Sequence, residues 1–143
     1  EKLVEVVPLA GVSEVLLFES EFSPKKQNIN LERLEKILIR SCEQSHTVFK
    51  PSLKFISKKQ WQGAVDEYKP IVLEGKTQLK SKIESESPSR NIAVIVGPEG
   101  GWSKTEVQDF KKHQLSFYSM GQTVFPAWVA GCLYLHVENY KNY

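Results

Sequence analysis

The stretch that most restricts this chain is residues 91–109, NIAVIVGPEGGWSKTEVQD. Its residues 92–96 form a short apolar run rich in β-branched side chains, the pattern of a strand buried on both faces of a parallel sheet. Gly97, Pro98, Gly100 and Gly101 stop that run abruptly. Ser103 and Glu106 then have the spacing of a capping box, which predicts a helix beginning at Lys104. Such a cap contributes about 1 kcal/mol, enough to fix where the turn ends. Open α/β sheets hold ligands just beyond the carboxyl ends of their strands. The turn therefore reads either as a cofactor loop or as an ordinary tight connection between strand and helix.

Two nucleotide-binding patterns can be excluded. A P-loop requires Gly, four residues, then Gly-Lys-Ser/Thr. Aligning Lys104 and Thr105 with it puts Pro98 and Ser103 where the glycines belong. A dinucleotide fingerprint requires G-x-G-x-x-G, and Glu99 breaks it at the third position. That glutamate also sets a carboxylate in the turn, where a phosphate would be repelled.

The remainder reads as one α/β domain over residues 1–143, of a length that can build a real core. Residues 2–7 form an amphipathic lead-in that reaches Gly11 as a helix stop, and residues 15–18 form a strand. A polar loop over 19–29 precedes Asn30, which can cap a helix over 31–45. Leu31, Leu34, Leu38 and Cys42, with Ile37 beside them, follow one helical face. Residues 49–56 are extended, and Ser57 with Gln60 predicts a second capping box before Trp61. Strands are expected over 71–73 and 115–120, with a polar excursion over 75–89 that resists assignment. A second glycine turn at Gly121 leads to Pro126 and a last helix over 127–140. Alternating strands and helices predict a mostly parallel sheet with helices on both faces.

Charge and cysteine content narrow the partners only a little. A net charge of +2 neither demands nor excludes nucleic acid. Cys42 and Cys132 are isolated in helical patterns and read as reduced core thiols of a cytoplasmic protein, with no metal site expected. His46 and His113 have no partner at a telling spacing, and His136 reads as a packing residue. The last helix is apolar on more than one face, so it must be buried under the domain or against a second subunit.

Val96-Gly97-Pro98-Glu99-Gly100-Gly101, followed by an aromatic, Ser and a helix, resembles the cofactor loop of the knotted SPOUT methyltransferases. More narrowly, the chain resembles the ribosomal RNA small subunit methyltransferase E family, which methylates uracil N3 of 16S rRNA. Gly11-Val12, Glu43-Gln44-Ser45 with Pro51, Leu73, and Met120-Gly121 follow the family's order along the chain. The resemblance implies a C-terminal trefoil knot and S-adenosylmethionine held by the backbones of three loops. The residues implied are Leu73; Val96, Gly97, Pro98, Glu99 and Gly100; and Met120, Gly121, Val124 and Phe125. It also implies a homodimer through the 127–140 helix and a partner in 16S rRNA or the small ribosomal subunit. The family's N-terminal RNA-binding barrel has no counterpart in these residues.

After Leu-Gly the family pattern runs x-Arg-Ile-Leu-Arg-Thr-Glu-Thr-Ala. Here the corresponding residues are Gln122, Thr123, Val124, Phe125, Pro126, Ala127, Trp128, Val129 and Ala130. Uracil N3 carries a proton and is a poor nucleophile, so its methylation needs a base or positive charge that favours the anion. The apolar replacements supply neither, and no catalytic residue can be assigned. Three functions stand open: a methyltransferase of the family with a degenerate catalytic shell, a non-catalytic dimeric binding or scaffold protein, and a methyltransferase with a changed substrate. Trp128 offers a surface on which a flipped base of that other substrate could stack.

Overall fold

A computed structural model describes residues 1–24, 28–74, 91–120 and 125–140. The excursion expected over 75–89, and Gly121 to Val124 in the second glycine turn, lie outside the described residues. The chain opens with α1 (Lys2–Val6), which tightens into a 3-10 turn over Val7–Ala10. Gly11 ends it at φ 67°, in the left-handed region where a side chain is costly. Then follow β1 (Glu14–Leu17), α2 (Leu31–Gln44), β2 (Ser52–Phe55), α3 (Trp61–Val65) and β3 (Lys69–Leu73). The order closes with β4 (Ile92–Val96), α4 (Lys104–Lys112), β5 (Ser116–Tyr118) and α5 (Ala127–Tyr140).

Local chemistry explains most boundaries. Asn30 caps α2 by accepting from the Arg33 N–H at 2.9 Å. Ser103 and Glu106 close the full capping box of α4, which begins at Lys104 as expected. The box expected at Ser57 and Gln60 is only half made. The Gln60 side chain accepts from the Ser57 N–H at 2.9 Å, but Ser57 returns no bond to the helix, and α3 starts without a side-chain cap.

The strands are all parallel, but they divide into two sheets where one was expected. β1 pairs β2, and β3 lies between β4 and β5. The facing edges of β1 and β4 flank a cavity of about 460 Å³ lined from both sides. Across it the halves are joined by helices and side chains: α5 packs on β4, on α1 and on the 3-10 turn. Phe18 stacks on Trp102 with ring centroids 6.2 Å apart.

The three-stranded sheet has helices on both faces, and its alternation shows how. Val72 and Ile95 point into a cluster with Trp61, Phe110 and Leu115, under α3 and α4. Ile71, Leu73, Val94 and Val96 point the other way, onto Ala130 and Tyr134 of α5. A third cluster, Val4, Val7, Val15, Leu34 and Leu38, joins α1, β1 and α2. Leu31, expected on the buried face of α2, is exposed at the helix start. His136 lies on the exposed side of α5.

Candidate functional site

Strand register builds the site. Leu73 stands opposite Val96 on one side and Tyr118 on the other, so β3, β4 and β5 end level. The Glu74 N–H, just past β3, donates to the Tyr118 carbonyl at 3.0 Å. Beyond this common edge, the side chains of Leu73, Val96, Met120 and Phe125 gather in one apolar cluster with Tyr118, Ala130 and Tyr134. Segments far apart in sequence are thus brought into one cluster at a common strand edge. Pro98 is half-buried beside them, whereas Glu99 and Gly100 are exposed.

The glycine turn is shaped by its tryptophan. A Cβ on Gly97 would stand 2.9 Å from Trp102 Cε2, too close for any side chain unless the indole moves. Gly97 is therefore required by Trp102 packing, since the indole fills the space a side chain would take. The Trp102 indole N–H donates to the Leu73 carbonyl at 3.2 Å and so ties the end of β3 to the turn after β4. Phe110 meets the indole edge-on, with centroids 5.0 Å apart and planes at 88°.

Glu106 is the buried charge of the region, at 3% exposure. Its carboxylate accepts from the Ser103 N–H at 3.0 Å and the Glu21 N–H at 2.9 Å, and Lys58 Nζ lies 3.2 Å away. Burial pushes its pKa up, but the two N–H donors and Lys58 outweigh this and hold it below the usual value. Tyr134 is pushed up to about 12 by burial and then by Glu138 and Tyr118, so its phenol keeps its proton at neutral pH.

Other polar candidates fall away from the site. His113 ends α4, its Nδ1 2.8 Å from the Asp109 carbonyl and its ring against Trp61. Trp128 is half-buried beneath the Lys2 ammonium, 5.7 Å from the ring. Cys42 and Cys132 are free and half-buried, and burial pushes the Cys132 thiol up. Among the described residues no group of His, Cys, Asp or Glu is arranged to hold a metal ion. Nor is any helix there long and apolar enough to cross a membrane.

Sequence reasoning missed Tyr134, the tie from Trp102 to Leu73, and the reach of Glu106 to Glu21. The capping box marked Glu106 as a local residue, but nothing in the pattern announces a partner 85 positions away.

Comparison with known proteins identifies the family. The sequence profile of the RNA methyltransferase domain matches residues 1–137. The chain is 34% identical over 119 residues to ribosomal RNA small subunit methyltransferase E of Helicobacter pylori, covering 80% of this chain and 50% of that protein. It is 26% identical over 140 residues to the protein of the same name from Mesomycoplasma hyopneumoniae, covering 94% and 60%. The chain thus spans about half to three fifths of the length of these relatives. A Legionella pneumophila methyltransferase solved with bound SAM superposes with a TM-score of 0.84 at 22% identity, over 98% of this chain and 60% of that one. Ribosomal RNA small subunit methyltransferase E from Neisseria gonorrhoeae, bound to S-adenosyl methionine, gives 0.81 at 22% identity over 98% and 59%. These two likenesses are of fold: parallel strands alternating with helices. With the profile matched along nearly its whole length and the glycine turn at the common strand edge, the chain belongs to the RNA methyltransferase domain family.

Proposed function

We propose that the chain is the S-adenosylmethionine-binding domain of an RNA methyltransferase whose target is a uridine of small-subunit ribosomal RNA. The observation that carries this reading is the level ending of β3, β4 and β5, which gathers Leu73, Val96, Met120 and Phe125 around one edge. The residues suit the cofactor: apolar side chains against which adenine could lie, beside the main chain of a glycine turn. Leu73, Val96 to Gly100, Met120, Gly121, Val124 and Phe125 are the proposed contacts. The cofactor supplies an electrophilic methyl group, and this chain's residues bind it, orient it and exclude water.

In this reading the chain is cytoplasmic and the C-terminal segment is knotted. It dimerises through α5, whose Leu133 and Val137 are 40% and 52% exposed in the single chain. Apolar side chains on a helix that also packs against the core suit a second subunit. The whole chain, residues 1–143, acts as one methyltransferase-type domain.

One observation favours weak catalysis or a binding role. No charged side chain occurs from Ser119 to Leu135, so the turn and first half of α5 offer no base and no cation to a uracil ring. Loss of one positioned electrostatic donor alone lowers a rate by about a hundredfold or more. Calorimetric titration with S-adenosylmethionine should show binding, whereas transfer of labelled methyl to unmodified small-subunit particles should be slow or absent. Failure to bind the cofactor at millimolar concentration would overturn the reading. Transfer at the rate of an intact family member would overturn the degenerate catalytic shell.

A further inference from the structure

One aromatic side chain beside the glycine turn is half exposed on a backbone turn tied by several hydrogen bonds. Phe22 is 51% exposed. A Cβ on Gly100 would stand 3.3 Å from Phe22 Cβ and 3.8 Å from its Cγ, so the ring lies across the turn. Four residues earlier, Phe18 takes the opposite course and stacks inward on Trp102.

The segment that carries Phe22 is fixed. The Ser20 N–H donates to Ser23 Oγ at 3.0 Å, and the Ser23 N–H returns to the Ser20 carbonyl at 3.1 Å. Between them the Glu21 N–H donates to the buried Glu106 carboxylate at 2.9 Å. The same oxygen meets Lys58 Nζ, whose side chain is 48% exposed. One carboxylate therefore joins the cap of α4, the Phe22 turn and a surface cation. These bonds fix the backbone on both sides of Phe22, so its ring is presented from a defined turn against Gly100.

We propose that Phe22 is a stacking platform for a base of the RNA substrate, held against the glycine turn by Glu106 as a positioning residue. The inference rests on the proposed function for the nature of the ligand. Single-stranded bases are bound by rigid, exposed aromatic faces with cations nearby for the phosphates. Among the described residues, Lys58 meets the same Glu106 oxygen that holds this turn, at 3.2 Å. Glu19, Glu21 and Glu99 are exposed in the same neighbourhood, which disfavours a purely electrostatic hold on the backbone and leaves stacking as the main attraction.

The test uses the full chain, a short fluorescein-labelled uridine-rich single-stranded RNA read by anisotropy, and calorimetry with S-adenosylmethionine. Phe22→Ala should weaken RNA binding about tenfold, and Phe22→Trp should restore it. Cofactor affinity and melting temperature should stay at wild-type values in both. Glu106→Ala should lose RNA binding to the same extent, with no further loss when combined with Phe22→Ala. RNA binding unchanged by Phe22→Ala would overturn the platform, and so would a parallel loss of cofactor affinity and melting temperature, which marks a packing residue. Wild-type chain that binds the cofactor but not this RNA would overturn it as well. Wild-type chain that binds RNA but no cofactor would instead overturn the proposed function, with the Phe22 comparison still deciding the platform.

Discussion

The two large clusters of the molecule are built from different materials. Around α1, β1 and α2 the core is aliphatic: Val4, Val7, Val15, Leu34 and Leu38. Around β3, β4 and α4 it is aromatic: Trp61 meets Phe110 edge-on at 5.3 Å, and Trp102 meets the other end of the same network. Branched aliphatic side chains fill space without a preferred partner, so their contribution is mainly area removed from water. Rings add angular preference, and Trp102 adds an N–H that must find an acceptor. The aromatic cluster lies beside the glycine turn. The aliphatic one supports the domain from a distance. Shape there serves stability, and here it also serves position.

Substitutions of matched severity should separate the two. Phe110→Ala should cost about 4 kcal/mol. It should also weaken S-adenosylmethionine binding, because the indole that ties Leu73 to the turn loses its edge contact. Leu38→Ala should cost about 3 kcal/mol in chemical denaturation yet leave cofactor affinity unchanged at a temperature where the chain is folded. Equal loss of affinity in both variants would erase the distinction.

Smaller changes sharpen the same point. Gly97→Ala should destabilise by about 2 kcal/mol, because its Cβ would stand 2.9 Å from the indole and force Trp102 to shift. Combining it with Trp102→Ala should cost less than the sum of the single changes, and a double-mutant cycle of denaturation midpoints measures that coupling. A valine at Gly97 would disturb the turn itself as well as any ligand, so fold and affinity should fall together. Ser103→Ala should cost about 1 kcal/mol through loss of the cap.

The smallest effect is set by pH. Glu106 has its folded pKa below the ordinary 4.5, so the folded state binds fewer protons than the unfolded one. Its contribution is complete above that ordinary value and fades as pH falls through the folded one. Wild type should therefore lose stability in acid faster than Glu106→Gln, as read by melting curves below about pH 5. Parallel curves would mean that the carboxylate is not held by its donors.

Where chemistry was local, the sequence was readable. The capping box at Ser103 placed the start of α4, Asn30 placed α2, and the β-branched run from Ile92 placed β4. Leu73, Val96, Met120 and Phe125 were named by family resemblance, and in the fold they meet in one apolar cluster. What could not be read depends on distance in the chain. The division into two sheets turns on which strand edges meet, and no residue pattern records that β1 and β4 do not pair. The same is true of Glu106 reaching Glu21 and of Trp102 reaching Leu73. Each is one hydrogen bond made by a residue whose sequence context already had a sufficient local explanation.

The contact between Asn139 and Ala10 has a consequence for how the protein is made. The amide of Asn139 donates to the Ala10 carbonyl at 3.2 Å, and α5 lies across α1 and the 3-10 turn. During synthesis α1 emerges well before α5, which covers it in the finished fold. At the usual pace of translation it waits on the order of ten seconds for the residues that seal it. For that interval Val7, Pro8 and Ala10 are open to chaperones or to neighbouring nascent chains. Yield in the cell should therefore answer to translation speed and chaperone supply as well as to the stability of the finished fold.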